Sequence, residues 1–314
     1  MTLLIQYTLI FASVLLLVAL GGCFSERSGV VNIGLEGIMV IGALGGALVL
    51  KFMSPDVSPI ILVLTTFLAS ALFGLIFSLT LAVASIHFKA DQTLTGTAMN
   101  LLATAGATVA VKAMNTAASG GNDVSSDIAY TKTKDLLIIR IGDFELSWFT
   151  IIALILLIVC YIVLYKTKFG LRLRACGEHP QAAASVGISV YKMRYAGVLI
   201  SGLLGGFGGI VYITAGVSVW KFEYGVAGFG FLALAVMIFG AWHPLKIALA
   251  AILFGFCRAL GNVYSGFDFL ANLQIPSVVY NMLPYIVSLV VLAFTSKKSR
   301  APKAEGIPYD KGSR

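Results

Sequence analysis

Charge is what this sequence has least of. Of its 314 residues only 11% are Asp, Glu, Lys or Arg, whereas 59% are hydrophobic. A soluble domain carries about 25% charged residues. The deficit excludes an ordinary globular enzyme and indicates a chain that crosses a bilayer several times. Acids are the scarcer sign, 14 against 22 bases. The resulting net charge of +8 sits mainly in residues 166–194 and in the tail from Lys297. Bases clustered beside apolar runs mark cytoplasmic loops, so nucleic acid is not an expected partner. Cysteine is equally sparse: Cys23, Cys160, Cys176 and Cys257 are scattered without CxxC or zinc spacing, and no disulfide framework follows. His87, His179 and His243 have no metal spacing either, so no metal site is expected. The pattern GxxxxGK[ST] does not occur, so the chain has no phosphate cradle with which to hydrolyse ATP itself. No Ser–His–Asp grouping suggests a catalytic residue. The first apolar run lacks the basic n-region of a signal peptide and reads as a first span.

What is there is a series of apolar runs, most of them near the roughly 20 residues that a membrane helix needs. They are Leu3–Gly22, Ile38–Leu50, Ile60–Ile86, Gln92–Val111, Trp148–Tyr165, Tyr195–Ala215, Tyr224–Ala241, Leu245–Tyr264 and Val278–Ser296. The expectation is an all-α integral membrane protein with about nine spans, within a range of eight to ten. Residues 1–296 form the membrane domain. The polar tail 297–314, with Pro302 and Pro308, is expected to be disordered. Residues 112–147 are turn-rich, and two short strands are expected near Leu136–Ile141 and Phe144–Trp148. The basic loop 166–194 and the tail both belong in the cytoplasm. An even number of spans separates them, which puts 112–147 and the N-terminus outside.

Three stretches depart from plain apolar helix. The first is the long polar stretch KTKFGLRLRACGEHPQAAASVGISVYKMR, residues 166–194. Its middle reads as a short helix over Pro180–Val186, with proline in the first turn, Gln181 and three alanines, and Gly187 as the stop. Two readings stand: an element another protein grips, and a solvated loop that only sets topology.

The second is the start of the second span, where Asn32, Gly34, Glu36 and Gly37 do not suit a plain helix. A carboxylate at mid-membrane costs about 2.5–3.5 kcal/mol, so it normally faces a cavity or a partner. Non-helical backbone at that depth must line a cavity or be packed in protein. Either Asn32 and Glu36 meet a polar cargo, or both sit at the cytoplasmic interface and cap the second span. Asn100 in the fourth span, with Gly96 on the same face, is either pathway wall or interhelical hydrogen bonding. The third stretch is Gly228, Gly230 and Phe231, which open the seventh span much as Gly34 and Gly37 open the second. The two spans enter from opposite sides, as an inverted internal repeat with two broken helices would require. Elsewhere, Gly202, Gly205, Gly206 and Gly209 make two overlapping GxxxG pairs, read as helix packing and as a candidate seam with a second subunit. Arg258, inside the eighth span, reads as snorkelling to the outer surface.

RSGVVNIGLEGIMVIGA (Arg27–Ala43), GLRLRACGEHPQAAASVGI (Gly170–Ile188) and GFGFLALAVMIFGAWHP (Gly228–Pro244) together carry a resemblance. The chain resembles the permease subunits of ATP-driven importers in the ribose, branched-chain amino acid and nucleoside group, and its first phrase is most similar to the nucleoside, simple-sugar-type branch. Family members more often carry Asn where His179 stands and an acid where Gln181 or Ala184 stands. The resemblance implies ATPase subunits that supply ATP and Mg chemistry, a second and longer permease, and a substrate-binding lipoprotein outside. It implies that Pro180–Gly187 is the coupling helix, with Arg174, Glu178, His179, Pro180, Ala182, Ala183 and Gly187 facing or setting that contact. Nucleosides are the implied cargo. Ribose or another simple sugar on the same machinery, and an ion-coupled transporter without an ATPase, are the alternatives.

Overall fold

The computed structural model describes residues 2–142, 144–273, 275–295 and 301–311. In order, the helices are α1 (Thr2–Arg27), α2 (Leu35–Phe52), α3 (Pro59–Ala82, continued by a π turn Val83–His87), α4 (Gln92–Ser119), α5 (Thr131–Lys134) and α6 (Trp148–Lys166). Then come α7 (Lys168–Glu178), α8 (Pro180–Ser185), α9 (Val190–Ile213), α10 (Phe229–Phe239), α11 (Pro244–Val263), α12 (Asp268–Ala271) and α13 (Ser277–Thr295). Among the described residues there are also four short strands, β1 (Asp127–Ala129), β2 (Ile138–Ile141), β3 (Phe144–Ser147) and β4 (Val219–Lys221). The helix starts are written in the sequence. Asp91 and Ser147 accept backbone N–H bonds at the starts of α4 and α6, Thr167 and Ser189 do so for α7 and α9, and proline opens α3, α8 and α11.

Among the described residues, seven helices are long and apolar enough to cross a bilayer, and two shorter apolar ones cover Phe229–Phe239 and Val278–Val290. The chain is an all-α, multi-pass membrane protein. The seventh expected span, Tyr224–Ala241, is the largest departure. Its helix has only 11 residues, about 16 Å at 1.5 Å per residue, and does not cross a bilayer by itself. Gly225, Ala227 and Gly228 all have positive φ, which breaks the first third of the apolar run.

At the centre, α9 packs on α1, α2 and α3, and most of its length is buried. Small residues set the spacing. A Cβ on Gly42 would strike the Gly206 backbone, one on Gly202 would strike Ser78, and one on Gly209 would strike the Met39 carbonyl. Gly205 lies against Ile38 and Leu35. Close backbone approach over small residues is how helices associate where lipid supplies no hydrophobic drive. All four glycines are buried within this chain. The glycine pairs therefore form an internal seam, which leaves no exposed face on them for the expected contact with a second subunit.

The two ends of the bundle differ. At one end β1 pairs antiparallel with β4, Ile128 facing Trp220, and β2 pairs with β3 as a hairpin. The hairpin lies where the sequence predicts it. The β1–β4 pairing does not show in the sequence, because three-residue strands ninety positions apart carry no pattern. Helix α4 continues to Ser119, so the irregular stretch is shorter than 112–147. At the other end residues 166–194 are not a loop: α7 precedes α8, and α9 already begins at Val190. Arg194, read as one of the loop's bases, is buried in α9 and donates to the Ile307 carbonyl at 2.9 Å.

The tail is a second correction. Residues 301–311 are packed against this end. Ala304 N donates to Gly177 O at 2.8 Å, Tyr309 is buried near Ala183 with its ring edge-on to Tyr191, and Lys89 pairs with Asp310 at 3.3 Å. Two apolar anchors and a buried arginine that needs an acceptor outweigh the polar composition. Burial pushes the Glu305 carboxyl up, a shift eased by a hydrogen bond with Glu26 and by the Arg27 charge. Positions 297–300 and 312–314 of the expected tail lie outside the described residues.

The seam predicts a contrast between glycines. Gly209→Leu should cost at least the ~1–3 kcal/mol typical of overpacking and lower the thermal midpoint in detergent. Gly106→Ala, with nothing within 4 Å of the added carbon, should leave the midpoint unchanged or raise it. Equal midpoints for both variants would remove the seam from the fold's supports.

Candidate functional site

The start of α2 and the start of α10 meet inside the bundle. Glu36 stands in the first turn of α2, yet it does not cap its own helix. Its Oε1 accepts from Gly228 N and its Oε2 from Gly230 N, both at 2.7 Å. A helix leaves its first N–H groups without internal partners and carries partial positive charge there. One carboxylate satisfies both needs for α10. Two residues make this possible. Gly228 holds φ at +80°, a left-handed conformation that side chains disfavour, and a Cβ on Gly230 would lie 2.5 Å from the Glu36 backbone.

Asn100 secures the other half. Its Oδ1 accepts from Gly37 N at 2.8 Å, and its Nδ2 donates to Ile33 O at 3.0 Å. That bridge pairs an amide in the first turn of α2 and a carbonyl just ahead of the helix. Gly37 sits so close to α4 that an added Cβ would lie 2.8 Å from the Met99 carbonyl, whereas Gly34 touches Gly96 and Met99 at ordinary packing distance. Asn32 is further away and fully buried, donating to Ser201 Oγ at 2.8 Å. The structure thus brings Glu36, Gly37, Asn100, Gly228, Gly230 and Phe231 together, leaves Gly34 behind them as packing, and gives Asn32 a separate partner on α9.

A cavity of about 670 Å³ opens beside this meeting point. Glu36, Thr97, Asn100, Thr104, Thr108, Glu223 and Phe231 line it together with Leu101, Ala105 and Val109. Lys112 at 2.8 Å holds the Glu223 carboxyl below the ordinary carboxylate range. Thr97, Thr104 and Thr108 recur at helical spacing on α4, and Leu101 and Val109 beside them are exposed. A hydroxyl stripe on the outer face of a membrane helix faces water or a second protein in preference to lipid tails. The cavity was legible as Glu36, Asn100 and Phe231. Thr104, Thr108 and Glu223 were missed, since threonines in a span read equally well as internal hydrogen bonding. Behind the start of α10, Arg258 corrects the snorkelling expectation. It donates to Asn281 Oδ1 at 2.9 Å and lies over the Phe229 ring.

At the end bearing α7 and α8, the expected coupling residues divide. His179, Ala182 and Gly187 face outward with Gln181, Ser185 and Val186, while Pro180 and Ala183 are buried. Gly187 ends α8 with φ at +83°. Arg174 lies over the Tyr165 ring at 4.6 Å, and Glu178 pairs with Arg27 at 3.6 Å. Both charges are therefore engaged within the chain.

A family model described as the branched-chain amino acid transport system permease component matches residues 4–294. The guanosine ABC transporter permease protein NupQ of Bacillus subtilis is 41% identical over 100% of this chain and 98% of its own length. The nucleoside ABC transporter permease protein NupC of Lactococcus lactis is 38% identical over 96% of this chain and 95% of its own. The nucleoside ABC transporter permease protein NupB of the same organism is 28% identical over 52% of this chain and 44% of its own. No solved structure matches.

The carboxylate cage predicts a graded loss. Glu36→Ala strands two part-buried amides, each costing up to about 1–3 kcal/mol, and should lower the thermal midpoint in detergent. Glu36→Gln, which keeps one acceptor, should fall between. An unchanged midpoint for Glu36→Ala would show that the start of α10 does not depend on the cage.

Proposed function

Because this chain belongs to the family of branched-chain amino acid transport system permease components, we propose that it is the membrane-spanning permease of an ATP-driven importer whose cargo is nucleosides. The observation that carries the cargo is the cavity beside Glu36, taken with the nucleoside names of two relatives similar over nearly their whole lengths. Ligand pockets run to about 300–1,000 Å³, and this one has the chemistry a nucleoside would use. Hydroxyls and the Asn100 amide suit ribose oxygens, and the exposed Phe231 ring offers a face for a base.

The cavity is open along α4, so a second permease would close it with a matching wall. The presence of both NupB and NupC in Lactococcus lactis fits a pair of related, unequal subunits. ATPase subunits would grip the exposed face of α8 on the cytoplasmic side and use ATP and Mg there. A binding lipoprotein would deliver cargo at the opposite end, over β1–β4 and the β2–β3 hairpin. Movement of α8 would then open the cavity to one side and the other in turn. This chain forms and breaks no bonds. The ion-coupled alternative would need Glu36 to carry a proton each cycle. Both of its oxygens are already engaged by backbone amides, which favours a fixed structural carboxylate.

Two measurements test the reading. In cells carrying the complete transporter, uptake of labelled guanosine should fall at least tenfold with excess adenosine or guanosine and stay unchanged with ribose. Competition by ribose alone would assign the simple-sugar cargo. Replacing Pro180–Gly187 by a flexible Gly/Ser string should abolish both co-purification of the ATPase and uptake. Persistence of both would remove α8 as the grip.

A further inference from the structure

Helix α10 is tied at both ends, by side chains of the first forty residues. At its start are the two amide bonds to Glu36 already described. Just past its other end stands Trp242, whose carbonyl accepts from Arg27 Nε and Nη2 at 3.3 Å and from Cys23 Sγ at 3.3 Å. The Trp242 indole N–H donates to Glu26 Oε2 at 2.6 Å. The same Arg27 guanidinium reaches Glu178 at 3.6 Å, one residue before His179, the N-cap of α8. Gly177 packs so closely on the Arg27 carbonyl that a Cβ there would overlap it. The junction of α7 and α8 therefore rests directly on the joint that holds α10.

We propose that α10 is a connecting rod, and that Arg27 and Trp242 form the bearing through which a displacement of α8 reaches Glu36 and the cavity wall. This rests on the transport reading above and adds its internal linkage. Three features suit the part. The rod is a single uninterrupted helix of 11 residues, and a helix transmits force along its axis with little give. Its flanks are non-glycine residues in the left-handed region, Ala227 at φ +53° on one side and Ala241 and Trp242 at φ +50° and +53° on the other. Such backbone persists only where its surroundings over-determine it, and it clusters at moving parts. Finally, Glu26 and Trp242 are buried whereas Glu178 is partly exposed. The linkage therefore runs from a surface a partner can push, through a buried joint, to the wall of the cavity. Arg27 and Trp242 are positioning residues; neither lines the cavity.

The test reads the cavity while the far end is driven. Thr104→Cys places a thiol in the cavity wall, against a background whose four native cysteines are all buried. The complete transporter, in nanodiscs, is labelled with a water-soluble maleimide at rest and after trapping with ATP and vanadate. With only Thr104→Cys, trapping should change the labelling rate at least fivefold. Adding Arg27→Gln should leave resting labelling and ATPase co-purification within twofold and reduce the trapping effect to less than twofold. Adding Glu178→Gln, at a half-exposed position that folding tolerates, should weaken the trapping effect in the same direction. A full trapping effect in both variants overturns the rod. An altered resting rate in both overturns it too, since the residues would then only hold the fold. Loss of the ATPase or of the trapping effect in Thr104→Cys alone would instead strike the transport reading itself.

Discussion

One carboxylate set between two helix starts holds the interior of this protein together. Glu36 belongs to α2, and its oxygens serve the first amides of α10. In hydrocarbon a broken helix is possible only if each freed amide finds a partner. The ends that face each other are both positive, so without an anion between them they would repel and also lack acceptors. From that contact the local geometry follows. Gly228 must turn left-handed, Gly230 must lack a side chain, and Asn100 must pair the Ile33 carbonyl ahead of α2 and the Gly37 amide within it. A water-accessible cavity remains where two full helices would have closed the bundle.

The rest of the fold supplies stiffness around this opening. The glycine seam of α9 brings backbones of α2 and α3 into contact, so the helix that carries Glu36 is backed by a rigid wall. Packing at that distance leaves no slack, because a well-packed interior answers strain by shifting whole elements. At the far end the same economy recurs. Arg27 serves Trp242 and Glu178 together, and residues 301–311 cover the neighbouring crevice.

Much of the site was readable without coordinates. Glu36 stood out because a carboxylate in an apolar run is costly, and Gly228 and Gly230 because paired glycines weaken a helix start. What their coincidence meant was not readable. Of the two open readings for Glu36, cargo contact and cap of its own span, neither names the partner it has, which is the start of a different helix almost two hundred residues away. Asn100, readable as pathway wall or as interhelical bonding, lines the cavity and also bonds Ile33 and Gly37. Nothing in the sequence pairs Glu26 and Arg27 with Trp242, since charges and aromatics at the end of a span are ordinary interfacial residues. The polar tail read as disordered for want of visible anchors, because Ala304 and Tyr309 gain value only from the surface they meet.

By itself the sequence determined the solvent, the class and the family: scarce charge and long apolar runs require a bilayer, and three phrases spread along the chain resemble one group of permeases. It also determined the local breaks, since proline, glycine and capping residues act over one turn. Only the tertiary structure decided which breaks face each other, that the seventh apolar run is half a span, and that a basic loop is two helices carrying a bonded arginine and glutamate. The physical reason is range. Hydropathy and capping are properties of neighbours along the chain, whereas a buried charge is settled by whichever distant amides the packed helices bring within hydrogen-bonding distance.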